Sequence, residues 1–273
     1  MSVIVTNQGP LHYQYIGTGE PIILLHGWVN SWRIWRDSML ALNQTKKYRV
    51  YTLDFWGFGE SAKEDQTNPD STGPSAFEID GYVEMVYQFM EALGIVEATI
   101  LGHSMGGTVA LKMALRHPER VRKVAVVCSP IVGTSLNTLL RLAGFDNIAR
   151  LLWAYPFIRQ GILNYLLYGD SKNIREMISA DIQQATMESF FRSIDDLKNT
   201  DLRDELSHLT IPTLGIYGKN DNIVSPKNAN WLQETTKSAQ ITVVEESRHF
   251  PMTDHPQFFI QRLDRFLNNG HAA

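Results

Sequence analysis

Ser104 stands in the stretch Gly102-His103-Ser104-Met105-Gly106, with an apolar run before it and an amphipathic run after it. A serine hydroxyl is a weak nucleophile until a base removes its proton. The pattern G-x-S-x-G between a strand and a helix displays such a serine: the chain reverses sharply and lifts the hydroxyl off the sheet. The helix N-terminus beneath offers free N–H groups and the positive end of a dipole. Gly102 and Gly106 let neighbouring backbone crowd the turn without a Cβ clash. The same residues also describe a serine N-cap on an amphipathic helix, so its partners must decide.

The base needs an acid that fixes its tautomer and stabilises the imidazolium. For a serine on this strand–turn–helix, the chain order is serine, then Asp or Glu, then histidine. Downstream, "GIYGKNDNIVSP" puts Asp221 in the loop after a buried strand, and "VVEESRHFPMTDHP" puts His249 in the loop after the next one. Both loops fall where a parallel sheet presents side chains at its carboxyl edge. Rivals read differently. His255 precedes Pro256 and suits a helix entry, His208 ends a helical stretch, and His117 sits at a helix exit, where the dipole favours it. Glu245 and Glu246 read as a solvated loop. The loop after the run 121–128 is "CSPIVG", with no carboxylate, which favours Asp221. Cys128 reads as a small buried side chain rather than a nucleophile.

These residues need a scaffold, and the chain supplies one. Runs at 11–17, 21–27, 48–54, 98–102, 121–128, 212–218 and 239–245 read as strands. Helical patterns fall between them at about 32–42, 77–93, 105–116, 226–236 and 257–267. That alternation predicts an α/β fold, a mostly parallel sheet flanked by helices. From 133 to 209 the rhythm changes to helical patterns only, rich in Trp153, Tyr155, Phe157, Tyr165, Tyr168, Phe190 and Phe191. A structureless loop of that length is improbable. The expectation is a core of 1–132 and 210–273, with an inserted helical cap over 133–209 whose aromatics pack its own core or face a pocket.

Composition narrows the function. The 273 residues are 44% apolar and 20% charged, with a net charge of −4. No Lys/Arg-rich run marks a nucleic-acid face. The start, "MSVIVTNQGP", lacks the basic and apolar regions of a secretory signal, and no apolar run is long enough to span a bilayer. A single cysteine rules out an internal disulfide and fits a reducing, cytoplasmic setting. No HExxH-type zinc spacing occurs.

The chain resembles the α/β-hydrolase superfamily over nearly its full length. "LLHGW" is similar to the family's oxyanion-loop motif, "DFWGFGES" to its D-x-x-G-x-G-x-S turn and "GHSMGG" to its nucleophile elbow. "GKNDNIVSP" and "RHFPMTDHP" are similar to its acid and histidine loops. The resemblance implies an oxyanion hole made by the backbone N–H groups of Trp28 and Met105, such donors being worth about 3–4 kcal/mol each in the transition state. It casts His26 and Gly27 as shapers of that loop and Asp54 as a turn former, and gives His103 no catalytic role. Haloalkane dehalogenases and epoxide hydrolases carry aspartate where Ser104 stands. His103 and "HGWVN" depart from the meta-cleavage hydrolases, and Val29 departs from the proline usual in the haloperoxidase-like members. The implied activity is hydrolysis of small-molecule carboxylic esters with short to medium apolar acyl groups, through an acyl-enzyme and with no cofactor or metal. Lactone hydrolysis, thioester hydrolysis and a cofactor-free haloperoxidase-like activity use the same triad and stay open, as does small-ligand binding without catalysis. The oligomeric state is open.

Overall fold

Eight of the chain's short segments pair into one sheet in the computed structural model, which describes residues 2–66 and 74–268. The strands are β1 (Ser2–Thr6), β2 (Gly9–Gly17), β3 (Glu20–Leu25), β4 (Tyr48–Leu53), β5 (Ala98–His103), β6 (Val121–Val127), β7 (Thr213–Gly218) and β8 (Ala239–Val244). Their order is β1-β2-β4-β3-β5-β6-β7-β8. β1 pairs antiparallel with β2, and β2 with β4, while the other pairings are parallel. β5 and β7 are buried at every position. A strand covered on both faces has no polar side to show, which explains their unbroken apolar runs. β1 is an edge strand with Val3 and Val5 exposed, too short and too solvated to stand out as a buried run.

The helices of the sheet layers are α1 (Arg36–Gln44), α2 (Ile79–Ala92) and α3 (Met105–Arg116). The helix expected over 32–42 is split. Ser31 Oγ accepts a hydrogen bond from the Arg33 N–H and starts a 3₁₀ turn, Trp32–Trp35, ahead of α1. α3 runs as its pattern predicts, burying Val109, Leu111 and Met113.

Between β6 and β7 the described chain is helical apart from two isolated bridges, Val132 to Asp201 and Leu136 to Val224. The helices are α4 (Thr138–Ala143), α5 (Asp146–Ala154), α6 (Pro156–Leu166), α7 (Lys172–Asp181), α8 (Met187–Asn199) and α9 (Arg203–Leu206). α8 opens with a capping box in which Thr186 and Ser189 satisfy each other's N–H groups. It is fastened to the sheet layers: Ser189 Oγ donates to Gly57 O at 2.9 Å, and Ile79 N donates to Asp196 Oδ2 at 2.8 Å. α7 is fastened through buried Asp181, which accepts from Ser31 Oγ at 3.0 Å and pairs with Arg33. The fold closes with α10 (Asn228–Thr235), α11 (Pro251–Asp254) and α12 (Pro256–Asn268).

Candidate active site

β3, β5, β6, β7 and β8 run parallel, so the loops that leave them meet at one edge of the sheet. Those loops carry Trp28, Ser104, Cys128, Asp221 and His249 respectively. Ser104 bridges β5 and α3 with φ +51° and ψ −122°, a backbone state that costs a non-glycine residue about 1–3 kcal/mol. The turn is held by its surroundings: Ser104 N donates to Val127 O at 2.8 Å, and Gly107 N donates back to Ser104 O at 2.9 Å. Gly106 is required there, because a Cβ would run into the carbonyl oxygens of Leu25 and His26.

Asp221 and His249 form one unit. Asp221 Oδ2 lies 2.8 Å from His249 Nδ1. Its other oxygen accepts the N–H groups of Ile223 at 2.8 Å and Val224 at 2.9 Å, which fixes the plane of the carboxylate. Both residues are buried. Ser104 and His249 line one cavity, with Trp28, Leu163, Leu166 and Phe250 among its walls. Met105 opens α3, so its N–H is among those the helix cannot satisfy internally. Glu245 is elsewhere, exposed and paired with Lys219. His117 packs against Tyr87 with the rings tilted, and His255 lies between α11 and α12.

The loop after β3 is braced from below. Phe55 N–H donates to His26 Nε2 at 2.9 Å, so the ring hydrogen sits on Nδ1 and donates to Gly27 O at 2.7 Å. Burial lowers the His26 pKa, which keeps this arrangement neutral. Asp54 accepts from the N–H groups of Trp32 at 2.7 Å and Glu60 at 3.0 Å, and lies 2.7 Å from His12 Nδ1. Burial pushes its carboxyl upward, but His12, His26 and those N–H groups outweigh it and hold the carboxyl below the usual range.

Three features escape a reading of the sequence. His103 donates its Nε2–H to the main-chain oxygen of His249 at 2.9 Å, and burial followed by the His249 charge holds its pKa well below normal. Asn30 lines the cavity, donating through Nδ2 to Trp28 O at 3.3 Å, while its buried Oδ1 has no partner among the described residues. Asp170, buried just beyond α6, has no hydrogen-bond partner for its carboxylate among the described residues, and burial lifts its pKa to about 6 against the opposing charge of Arg248. His103 and Asp170 depend on groups far along the chain, His249 and Arg248. Asn30 carries a local hint, the only amide in the loop after "HGW".

Among the described residues, Cys128, Asp221 and His249 bring metal-ligand atoms within 4.8 Å of one another. The Asp221 and His249 atoms already bond to each other. Burial, then the Asp221 charge, pushes the Cys128 thiol well above its usual pKa and keeps it protonated. Its sulfur accepts from Gly218 N at 3.4 Å and lies 3.6 Å from Arg248 O. This donor set suits a packed thiol better than a metal ligand.

Residues 20–256 match the family described as alpha/beta hydrolase fold. The chain is 29% identical over 265 residues to a pimeloyl-[acyl-carrier protein] methyl ester esterase of Aeromonas hydrophila subsp. hydrophila, covering 92% of this chain and 96% of that protein. It is 30% identical over 271 residues to the esterase of the same name from Aliivibrio fischeri, covering 96% and 99%. In fold it is similar to a hydrolase from Pseudomonas aeruginosa PA01, with TM-score 0.83, 22% identity and 97% of both chains covered. It is also similar to an enol-lactonase from Burkholderia xenovorans LB400, with TM-score 0.80, 20% identity, and 98% and 100% covered. At that identity the two structures speak to the fold alone. No described helix is long and apolar enough to cross a membrane.

Proposed function

Because the chain belongs to the alpha/beta hydrolase fold family, we propose that it hydrolyses carboxylic esters of short to medium apolar acyl groups through an acyl-enzyme on Ser104. The esterase names of its relatives support ester hydrolysis as the reaction. The observation that carries the residue assignment is geometric. Ser104, on a left-handed turn, shares a cavity with His249, whose Nδ1 is 2.8 Å from Asp221.

In this reading His249 Nε2 takes the Ser104 proton as Oγ attacks the ester carbonyl. Asp221 keeps the hydrogen of the imidazole on Nδ1 and stabilises the imidazolium. The N–H groups of Met105 and Trp28 hold the oxyanion. His249 then protonates the leaving alcohol, and on the return step it activates water against the acyl-enzyme. Neutral His26 and the Asp54 turn hold the Trp28 loop in place. The helices over 133–209 act as a cap: Leu163, Leu166 and Leu167 wall the acyl side of the cavity, which favours apolar chains of limited length.

A fluorophosphonate probe tests the activated serine. Labelling at Ser104, lost in Ser104→Ala, is the expected outcome. Turnover across methyl and p-nitrophenyl esters, lactones and acyl thioesters then ranks the substrate classes. A native protein that neither labels nor turns over any of them is a ligand-binding protein and not a hydrolase.

A further inference from the structure

α6 is apolar on two sides. Its inner residues Leu163 and Leu166, with Leu167 just beyond its end, line the cavity that holds Ser104. Its outer residues Phe157, Gly161, Asn164 and Tyr165, with Tyr168 just beyond, follow helical spacing and stand exposed. The outward face of a surface helix is usually polar. Here Phe157 is 72% and Tyr168 74% exposed.

The surrounding surface extends the pattern. Leu142, Phe145, Leu151, Tyr155, Phe157, Tyr165 and Tyr168 are seven of the fourteen large apolar side chains that stand exposed among the described residues. They occupy one short stretch of a long chain. Apolar surface concentrated in this way marks a contact face. Tyr155 and Phe157 pack edge to face across the α5–α6 turn.

Charge and relief choose the partner. Residues 138–168 carry Arg141, Arg150 and Arg159 against Asp146 alone, in a chain whose net charge is −4. Arg150 pairs with Asp146, which leaves Arg141 and Arg159 as the surplus positive charge of this stretch. The hollows beside the helices are polar, one lined by Glu188, Arg192 and Asp195, the other by Gln160, Lys172 and Glu176. Tyr168 borders the second hollow, and the other exposed apolar groups stand clear of both. A partner helix seeks an apolar groove, whereas a bilayer surface takes protruding aromatic rings between its headgroups and attracts the arginines with its anionic lipids. Tyrosine, the commonest of these rings, is suited to that boundary.

We propose that the outer face of α5 and α6, with Tyr168, is a docking surface for an anionic lipid bilayer. The protein binds there from one side and does not span it. Docking places the bilayer across α6 from the cavity, and it holds whether or not Ser104 reacts.

The test is co-sedimentation of the full chain with vesicles of phosphatidylcholine alone and of phosphatidylcholine containing about a quarter phosphatidylglycerol. The anionic vesicles should bind the protein, and high salt should weaken the binding. The double variant Phe157→Ser, Tyr168→Ser should weaken it by about tenfold or more. Gly161→Glu should do the same by charge. Nothing lies within 4 Å of a Cβ at Gly161, and glutamate is the better helix former, so this variant folds. Both should hydrolyse a water-soluble p-nitrophenyl ester as the wild type does. Failure of the wild type to bind anionic vesicles overturns the proposal, as does binding that both variants retain. A wild-type dimer that the double variant splits assigns the face to a second copy of the chain and overturns it too.

Discussion

His103 Nε2 donates to the main-chain oxygen of His249 at 2.9 Å, and the two rings lie 4.7 Å apart. The residue before Ser104 thus holds the loop that carries His249, and the spacing of the two loops is set through backbone. His103→Leu keeps the bulk and removes the donor. Its kcat should fall by about tenfold, the worth of one buried hydrogen bond, with KM nearly unchanged. Steady-state kinetics decide: a rise in KM alone makes His103 a wall of the pocket instead.

Ser104→Ala should fold and lose ester turnover by several orders of magnitude. Asp221→Asn should also lose most activity, because the wrong histidine tautomer is favoured. Glu245→Gln, which alters an exposed pair with Lys219, should leave the rate within about twofold. Greater damage from Glu245→Gln than from Asp221→Asn would sink the choice of acid. Turnover should be insensitive to EDTA and absent in His249→Ala.

Acyl preference should follow the cavity. Each methylene that fits contributes about 0.8 kcal/mol of burial, so kcat/KM should climb with chain length and then drop when Leu163, Leu166 and Leu167 are reached. A p-nitrophenyl ester series measures this. Best activity on long-chain triglyceride emulsions contradicts a cavity closed by these helices.

Asp170 predicts a pH effect on stability. Its carboxyl titrates at about 6 in the folded chain, against about 3.9 when unfolded. Between those values the folded state binds more protons, so this group's contribution falls as pH rises and levels off above its folded pKa. Asp170→Asn should therefore stabilise the protein at neutral pH, by up to roughly 3 kcal/mol, and change little below about pH 4. Melting temperatures across that range check it, and an equal gain at both ends refutes the assignment.

The edge-of-sheet arrangement was legible because β3, β5 and β7 are largely apolar, β8 is rich in β-branched residues, and each candidate residue follows a parallel strand. The positions of Ser104, Asp221 and His249 needed only chain order and the rule that such loops share an edge. α7 was harder. Its buried residues Ile174 and Ile178, with Ile182 at its C-terminal end, recur every fourth position, and Ser171 caps it, accepting from Ile174 N at 3.3 Å. Polar residues dilute that stripe. The pairing of Asp181 with Arg33, and the seat of Asp170 beside Arg248, join positions too far apart in sequence for any local pattern to register.

Cys128 is the chain's single cysteine, fully buried behind Asp221. It therefore doubles as a chemical clock for the site. A thiol reagent reaches it only when the strand ends around Asp221 and His249 part, so under fast reclosing its labelling rate reads the free energy of that opening directly. Ligands that close the cavity should slow the clock, and no tag or engineered reporter is required to watch it run.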